Sequence, residues 1–81
     1  MIRLLCFGRL GDSLGRVADL QPPDRVETVA DLLDWLATRG SVWQQEMSTS
    51  FRVALNQEIV ALDSRLNHGD EVVLLPRVSG G

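Results

Sequence analysis

Apolar and polar positions change period several times along the chain, and each change marks an element. Ile2 to Phe7 is a nearly unbroken apolar run, with Leu4 and Leu5 on opposite faces of the strand it predicts. A strand apolar on both faces is either central in its sheet or meets a partner with its outer face. Gly8, Gly11 and Gly15 predict a flexible connection, with room for a short helical turn around Asp12 to Leu14. Arg16 to Leu20 alternates weakly and predicts a second strand, stopped by Pro22-Pro23.

The period then becomes helical. Val29, Leu32, Leu33 and Leu36 stand at i, i+3, i+4, i+7, the spacing of one buried stripe, while Asp31, Asp34 and Thr38 fall opposite. Thr28-Val29-Ala30-Asp31 has capping-box spacing with Asp in place of the usual Glu, and Gly40 is a natural stop. Ser41 to Met47 predicts a second, short helix with Trp43 and Met47 on one face. Trp35, at the edge of the main stripe, reads as packing.

Strand periodicity returns at Phe51 to Leu55, with Phe51, Val53 and Leu55 on one side. A turn at Asn56-Gln57 and a short strand from Glu58 to Leu62 follow. Asn67-His68-Gly69-Asp70 is a strong turn signal, and Glu71 to Leu75 is a last apolar strand closed by Pro76. The order predicts an α+β domain over residues 1–76, with a mixed sheet packed on one main helix and a flexible tail over 77–81.

Two-sidedness recurs in the last strand. If Ile2, Leu4 and Cys6 face the helix, Leu5 and Phe7 point away, and Val73 and Leu75 likewise oppose Val72 and Leu74. Either a small extra element covers these four, or they form an exposed patch of the kind that marks docking faces. The docking reading is the expectation, with Leu5, Phe7, Val73 and Leu75 as partner contacts.

Composition narrows the function classes. With 81 residues, 44% hydrophobic and 23% charged, the chain is one ordinary globular domain. A net charge of −3 leaves no basic stripe for nucleic acid. No apolar run approaches the roughly 20 residues of a membrane span, and the start is too short and too soon interrupted for a signal peptide. The single Cys6 excludes an internal disulfide and favours a reducing, cytoplasmic compartment.

Candidate side-chain chemistry is thin. Cys6 as a persulfide relay is outweighed by its place in an apolar strand, where a thiol behaves as a small hydrophobe. His68 reads as a turn residue, and no second His or Cys stands at a ligand spacing, so no metal is expected. Turn chemistry and a solvated rim account for Asp63, Asp70 and Glu71 better than carboxylate catalysis does. The three early glycines match neither a dinucleotide fingerprint nor a P-loop.

The end of the chain is different. Ser79-Gly80-Gly81 offers a carboxyl without a Cβ, able to thread a channel too narrow for side chains. Against that stands an ordinary frayed end, since termini are usually loose. All eight basic residues are arginine, so no lysine amine of the chain could capture an activated Gly81 carbonyl.

Three stretches then coincide. Leu55-Asn56-Gln57-Glu58-Ile59-Val60 resembles the V-N-x-x-x-V hairpin of the β-grasp sulfur carriers. Leu66-Asn67-His68-Gly69-Asp70-Glu71-Val72 resembles their L-x-x-G-D-E-V turn, and Leu75-Pro76-Arg77-Val78-Ser79-Gly80-Gly81 their P-P-V-[ST]-G-G tail. The match spans the chain and lies nearest to the branch that supplies small subunits of molybdopterin synthase. Two departures stand out: the segment from Gly8 to Gly15 keeps the closing glycine but lacks an arginine where relatives often carry Arg-Glu, leaving Arg9 as the substitute, and Pro76-Arg77 stands in place of two prolines.

The resemblance implies a ubiquitin-like β-grasp fold and a sulfur-carrier role. Gly81 would be adenylated by an adenylyltransferase using ATP, then converted to a thiocarboxylate with sulfur from a donor protein. Arg77, Val78, Ser79 and Gly80 would thread the active site of the large synthase subunit. That subunit would supply the catalytic side chains, and no cofactor would be bound here. Sulfur would pass to cyclic pyranopterin monophosphate. The same activation serves a ubiquitin-like modifier that forms an isopeptide with a partner lysine, or a thiamine-pathway carrier. A plain binding module with an incidental Gly-Gly also remains open.

The chemistry fits the residue types. A C-terminal carboxylate is ionised at neutral pH (pKa about 3.5) and is a poor electrophile, so activation must precede transfer. Five residues from Arg77 to Gly81 span roughly 17 Å when extended, enough to reach into another protein.

Overall fold

The computed structural model describes residues 1–77. The elements are β1 (Ile2–Cys6), α1 (Gly8–Leu14), β2 (Val17–Leu20), α2 (Val29–Ala37), α3 (Ser41–Met47), β3 (Phe51–Leu55), β4 (Glu58–Ile59) and β5 (Glu71–Pro76). The strands form one mixed sheet in the order β2-β1-β5-β3-β4. β1 and β5 run parallel, and the other pairs are antiparallel. The last strand in the chain is therefore central in the sheet, hydrogen-bonded on both sides.

One face of the sheet carries the core. Ile2, Leu4, Cys6, Leu20, Val53, Val72 and Leu74 are buried with Leu10 of α1 and Val29, Leu32 and Leu36 of α2. That is the helical stripe expected from the spacing, meeting alternate strand positions. Each fully buried Leu or Val contributes about 1.5–3 kcal/mol, so this single cluster dominates stability. Thr28 caps α2 as expected: its Oγ1 accepts from Asp31 N at 3.2 Å, and Asp31 Oδ2 accepts from Thr28 N at 3.2 Å and Glu27 N at 3.0 Å. The amide of Glu27, then the amide and hydroxyl of Thr28, hold the Asp31 carboxyl below its ordinary range. Trp35, Trp43 and Met47 pack against the rim of the core.

Three expectations are corrected. The glycine-punctuated segment is not a loose connection but the two-turn helix α1, with Leu10 and Gly11 buried. Gly11 lies where a Cβ would come within 2.5 Å of the Cys6 carbonyl oxygen, so its role is close approach of helix to strand. Gly40 does not end the main helix, which stops at Ala37 with Thr38 as its cap; Gly40 instead precedes α3 as the N-cap. The strand expected over Glu58 to Leu62 ends at Ile59. The chain then turns back toward α2, where Ala30 N donates to Leu62 O at 2.8 Å and Val29 N to Ser64 O at 2.9 Å.

Candidate docking face and tail exit

The registers place five residues in one row across the outer face. Val17 pairs with Leu5, Leu5 with Val73, Val73 with Ala54, and Ala54 with Ile59, one residue from each strand in sheet order. Val73 and Ala54 are buried yet stand apart from the core cluster, which confirms that they belong to the opposite face. The neighbouring row toward the Glu71 end is charged: Asp19, Arg3 and Glu71, with Arg3 Nε 3.2 Å from Asp19 Oδ1. The outer face thus passes from a charged row to an apolar one along the direction in which β5 runs, and the row beyond sets Leu75 beside exposed Arg52.

All four residues expected on this face lie on it or at its end. Leu5 and Leu75 are half-buried, and Phe7 is 51% exposed just beyond β1. Val73 differs from expectation in degree. At 7% exposure it is covered by its cross-strand neighbours and supports the surface from within. The accessible apolar area comes from Phe7 and from the row's ends, Val17 at 60% and Ile59 at 56%. Sequence reasoning missed Val17, Ala54 and Ile59 as members of this face. For Val17 and Ile59, alternation in the short edge strands β2 and β4 is too brief to assign a side until the register is known.

β5 leaves the sheet at a defined place. Phe7 N donates to Leu74 O at 3.1 Å, extending the parallel pairing past β1. The chain then reverses at Gly8, in the left-handed region at φ +58°, where a Cβ would sit 3.0 Å from Pro76 Cγ. Pro76 therefore lies directly over a residue without a side chain. Arg77, the last described residue, lines a shallow groove with Leu33, Met47, Phe51 and Leu62. Val78, Ser79, Gly80 and Gly81 lie outside the described residues.

The far end of β5 is fixed by polar bonds. Asp70, 8% exposed, accepts from Asn67 N at 2.7 Å and from Asn56 Nδ2 at 3.0 Å. Asn56 returns a second bond, its Oδ1 accepting from Glu71 N at 3.0 Å, while its own N donates to Glu71 O at 2.9 Å. The rim expected for Asp70 is thus a buried, fully bonded turn, and the hairpin and turn motifs meet directly. Asn56 and Gln57 both take positive φ, 50° and 74°, as a two-residue hairpin turn requires.

The remaining candidates are structural. Cys6 is 2% exposed on the core face, and desolvation pushes its thiol up to about 11, far from a thiolate nucleophile at neutral pH. His68 Nδ1 hydrogen-bonds the Met1 amine beside the turn. Arg9 reaches from α1 to α3, with Nη1 2.6 Å from Glu46 Oε1. The Ser13 hydroxyl and then Arg9 hold the Glu46 carboxyl below its ordinary range. Among the described residues no three His, Cys, Asp or Glu gather at a metal-binding distance, and no helix is long and apolar enough to cross a membrane.

A mixed sheet with its last strand in the middle and one capped helix across its inner face defines a ubiquitin-like β-grasp protein. The sequence pattern of the ThiS family covers residues 4–81, and the chain belongs to that family. It is similar over the full length of both chains to the molybdopterin synthase sulfur carrier subunits of Escherichia coli (32% identical) and Haemophilus influenzae (30%). Among solved structures it resembles SAMP1 from Haloferax volcanii, with TM-score 0.79 and 28% identity over 99% of this chain and 98% of that one. It shares its fold with a chain in the complex of subunits 1 and 2 of molybdopterin-converting factor from Helicobacter pylori. There the TM-score is 0.68 at 21% identity, covering 99% and 97% of the two chains.

Proposed function

We propose that this chain is the sulfur-carrier subunit of a molybdopterin synthase, with its chemistry confined to Gly81. One observation carries the reading. β5, held between β1 and β3 and tied at its start by Asn56 and Asp70, ends at Pro76, one residue past Leu75 of the outer face, with Arg77 in the groove of Leu33, Met47, Phe51 and Leu62. Four residues from Arg77, the sequence places a glycine carboxylate. A rigid strand, an adjoining apolar face and a short slender end suit delivery of a reactive group into another protein.

The steps follow from carboxylate chemistry. An adenylyltransferase joins Gly81 to AMP from ATP with release of pyrophosphate, which supplies a leaving group the bare carboxylate lacks. Sulfide-level sulfur delivered by a donor protein attacks the acyl carbon, AMP leaves with the electron pair of the broken C–O bond, and a thiocarboxylate remains. Val78 to Gly80 then enter the large synthase subunit, while Leu5, Phe7 and Leu75, with Val73 supporting them, seat the domain. That subunit provides the acid and base groups, and the sulfur passes to cyclic pyranopterin monophosphate. A dithiolene holds two sulfurs, so two loaded carriers are consumed per product.

The test is the intact mass of the protein isolated from cells that make molybdenum cofactor. A fraction should be heavier by the exchange of one oxygen for one sulfur, localised to Gly81. If that species is never found, the carrier reading fails. A product linked through Gly81 to partner lysines would favour a protein-modifier role instead.

A further inference from the structure

We propose that Arg52 is the charged anchor of the outer face, and that the protein seated there carries a carboxylate opposite it. The proposal rests on the reading that this face receives the large synthase subunit. It adds a chemical demand on that subunit's surface: an acid inside an otherwise apolar contact.

The registers set Arg52 among apolar side chains. It pairs with Leu75 across β3 and β5, so the two share a face. Ala54 follows on that face two residues along β3, and exposed Phe7 lies just past the end of β1. Phe51, the residue before Arg52, pairs with Pro76, where β5 ends. Arg52 thus stands level with the exit of β5, at the place where a partner receiving the end of the chain must make contact.

Among the described residues no carboxylate answers it. Arg3, Arg9, Arg16 and Arg65 each meet an acid, respectively Asp19, Glu46, Asp12 and Glu27, and Arg52 meets none. Nor is it stacked as Arg39 is, whose guanidinium lies 5.5 Å from the Trp35 ring centre and 5.2 Å from that of Trp43. Arg25 and Arg77 also lack an acid but lie off this face, beside α2. Glu71 comes four residues before Leu75 on β5, about 13 Å away along the strand. Glu58 on β4 pairs with Leu55 and so belongs to the other side of the sheet. Water alone solvates exposed Arg52 in the free chain.

Covering the face removes that water. A protein seated on Phe7 and Leu75 also shields the residue beside Leu75. A guanidinium stays protonated and cannot shed its charge, so a covered and unpaired Arg52 would oppose docking. A carboxylate fits it best, because two parallel N–H···O bonds join the planar groups and the charges cancel. The chain's net charge of −3 repels an acidic partner at long range, so the attraction is local to Arg52.

The experiment is titration calorimetry of the full chain against the isolated large subunit of the same synthase, at low and at raised salt. Arg52→Leu keeps an apolar stem on the strand and removes the charge. It should weaken binding about 30-fold or more, because the partner's acid is then covered without a counter-ion. Arg52→Glu should weaken it further, and Arg52→Lys should recover part of the loss. Wild-type affinity should fall more steeply with salt than that of Arg52→Leu. All three variants should keep the wild-type melting temperature, since Arg52 is exposed. Unchanged or tighter binding by Arg52→Leu would overturn the anchor. Weakened binding with the wild-type salt dependence would assign a neutral acceptor and overturn the carboxylate. A dimer of the chain alone that Arg52→Glu dissolves would give the acid to a second copy and overturn it too. A wild type that does not bind the large subunit would overturn the underlying reading, and the proposal with it.

Discussion

Asn56 and Asp70 are fourteen residues apart and joined by one bond, Nδ2 to Oδ1 at 3.0 Å. Asn56 is at once the first residue of a hairpin turn with positive φ and a clamp on the start of the central strand. Asn56→Ala loses both side-chain bonds, strains the turn and leaves Asp70 short of a donor. The expected loss is about 2–3 kcal/mol in urea unfolding. The double variant with Asp70→Ala should lose less than the sum of the singles, because they share the bond. Additive losses would refute the coupling.

Gly11 and Gly15 should oppose alanine for different reasons. At Gly11 a Cβ would meet the Cys6 carbonyl at 2.5 Å, and neither backbone can yield cheaply, so about 2–3 kcal/mol is expected. At Gly15 the space is open and backbone strain alone opposes alanine, since φ +91° with ψ 149° is essentially a glycine conformation, which costs about 1–3 kcal/mol. An unchanged melting temperature for Gly11→Ala would contradict the close-approach assignment.

The capping box makes part of the stability depend on pH. Asp31 is held below its ordinary 3.8 by the Glu27 and Thr28 amides, so folding favours its charged form. That contribution is fully present above the unfolded value and is lost as pH falls through the lower folded value. Wild type should exceed Asp31→Asn in stability at neutral pH, and the gap should close below about pH 4. A constant gap down to pH 2 would mean that the carboxylate charge is not what the cap uses.

Phe7 offers the most direct probe of docking. It is exposed, so Phe7→Arg should leave the melting temperature unchanged within about 1–2 °C while weakening the large subunit's hold by about 2 kcal/mol, roughly 30-fold. Titration calorimetry would show this. Unchanged affinity would move the docking face elsewhere.

Removing Gly81 should abolish sulfur transfer without lowering thermal stability, because the core and the Asn56–Asp70 clamp lie within residues 1–77. Retained transfer would contradict the confinement of chemistry to that residue.

Much of this was legible in the sequence. The helix over Val29–Ala37, its Thr28–Asp31 cap and the two-sidedness of the first and last strands follow from periodicity and spacing. The three early glycines misled because glycine signals two things, freedom and closeness. Only the packing of Gly11 on Cys6 O and of Gly8 on Pro76 tells which applies. Val73 was read correctly for face and wrongly for exposure, since cover by Leu5 and Ala54 depends on register. Ala54 was invisible because alanine carries little pattern of its own. The tail chemistry came from a resemblance carried by three motifs, and residues 78–81, on which it would fall, lie beyond those described.

The strand that leads to Gly81 is the last in sequence and the middle one in space. It has no place in the sheet until β1 and β3 already stand on either side. A chain cut short, or one whose early strands fail to pair, leaves β5 without its two neighbours and Pro76 without its seat over Gly8. The seat of Pro76 over Gly8 is thus a certificate of completed folding, present only in a chain whose other strands already flank β5.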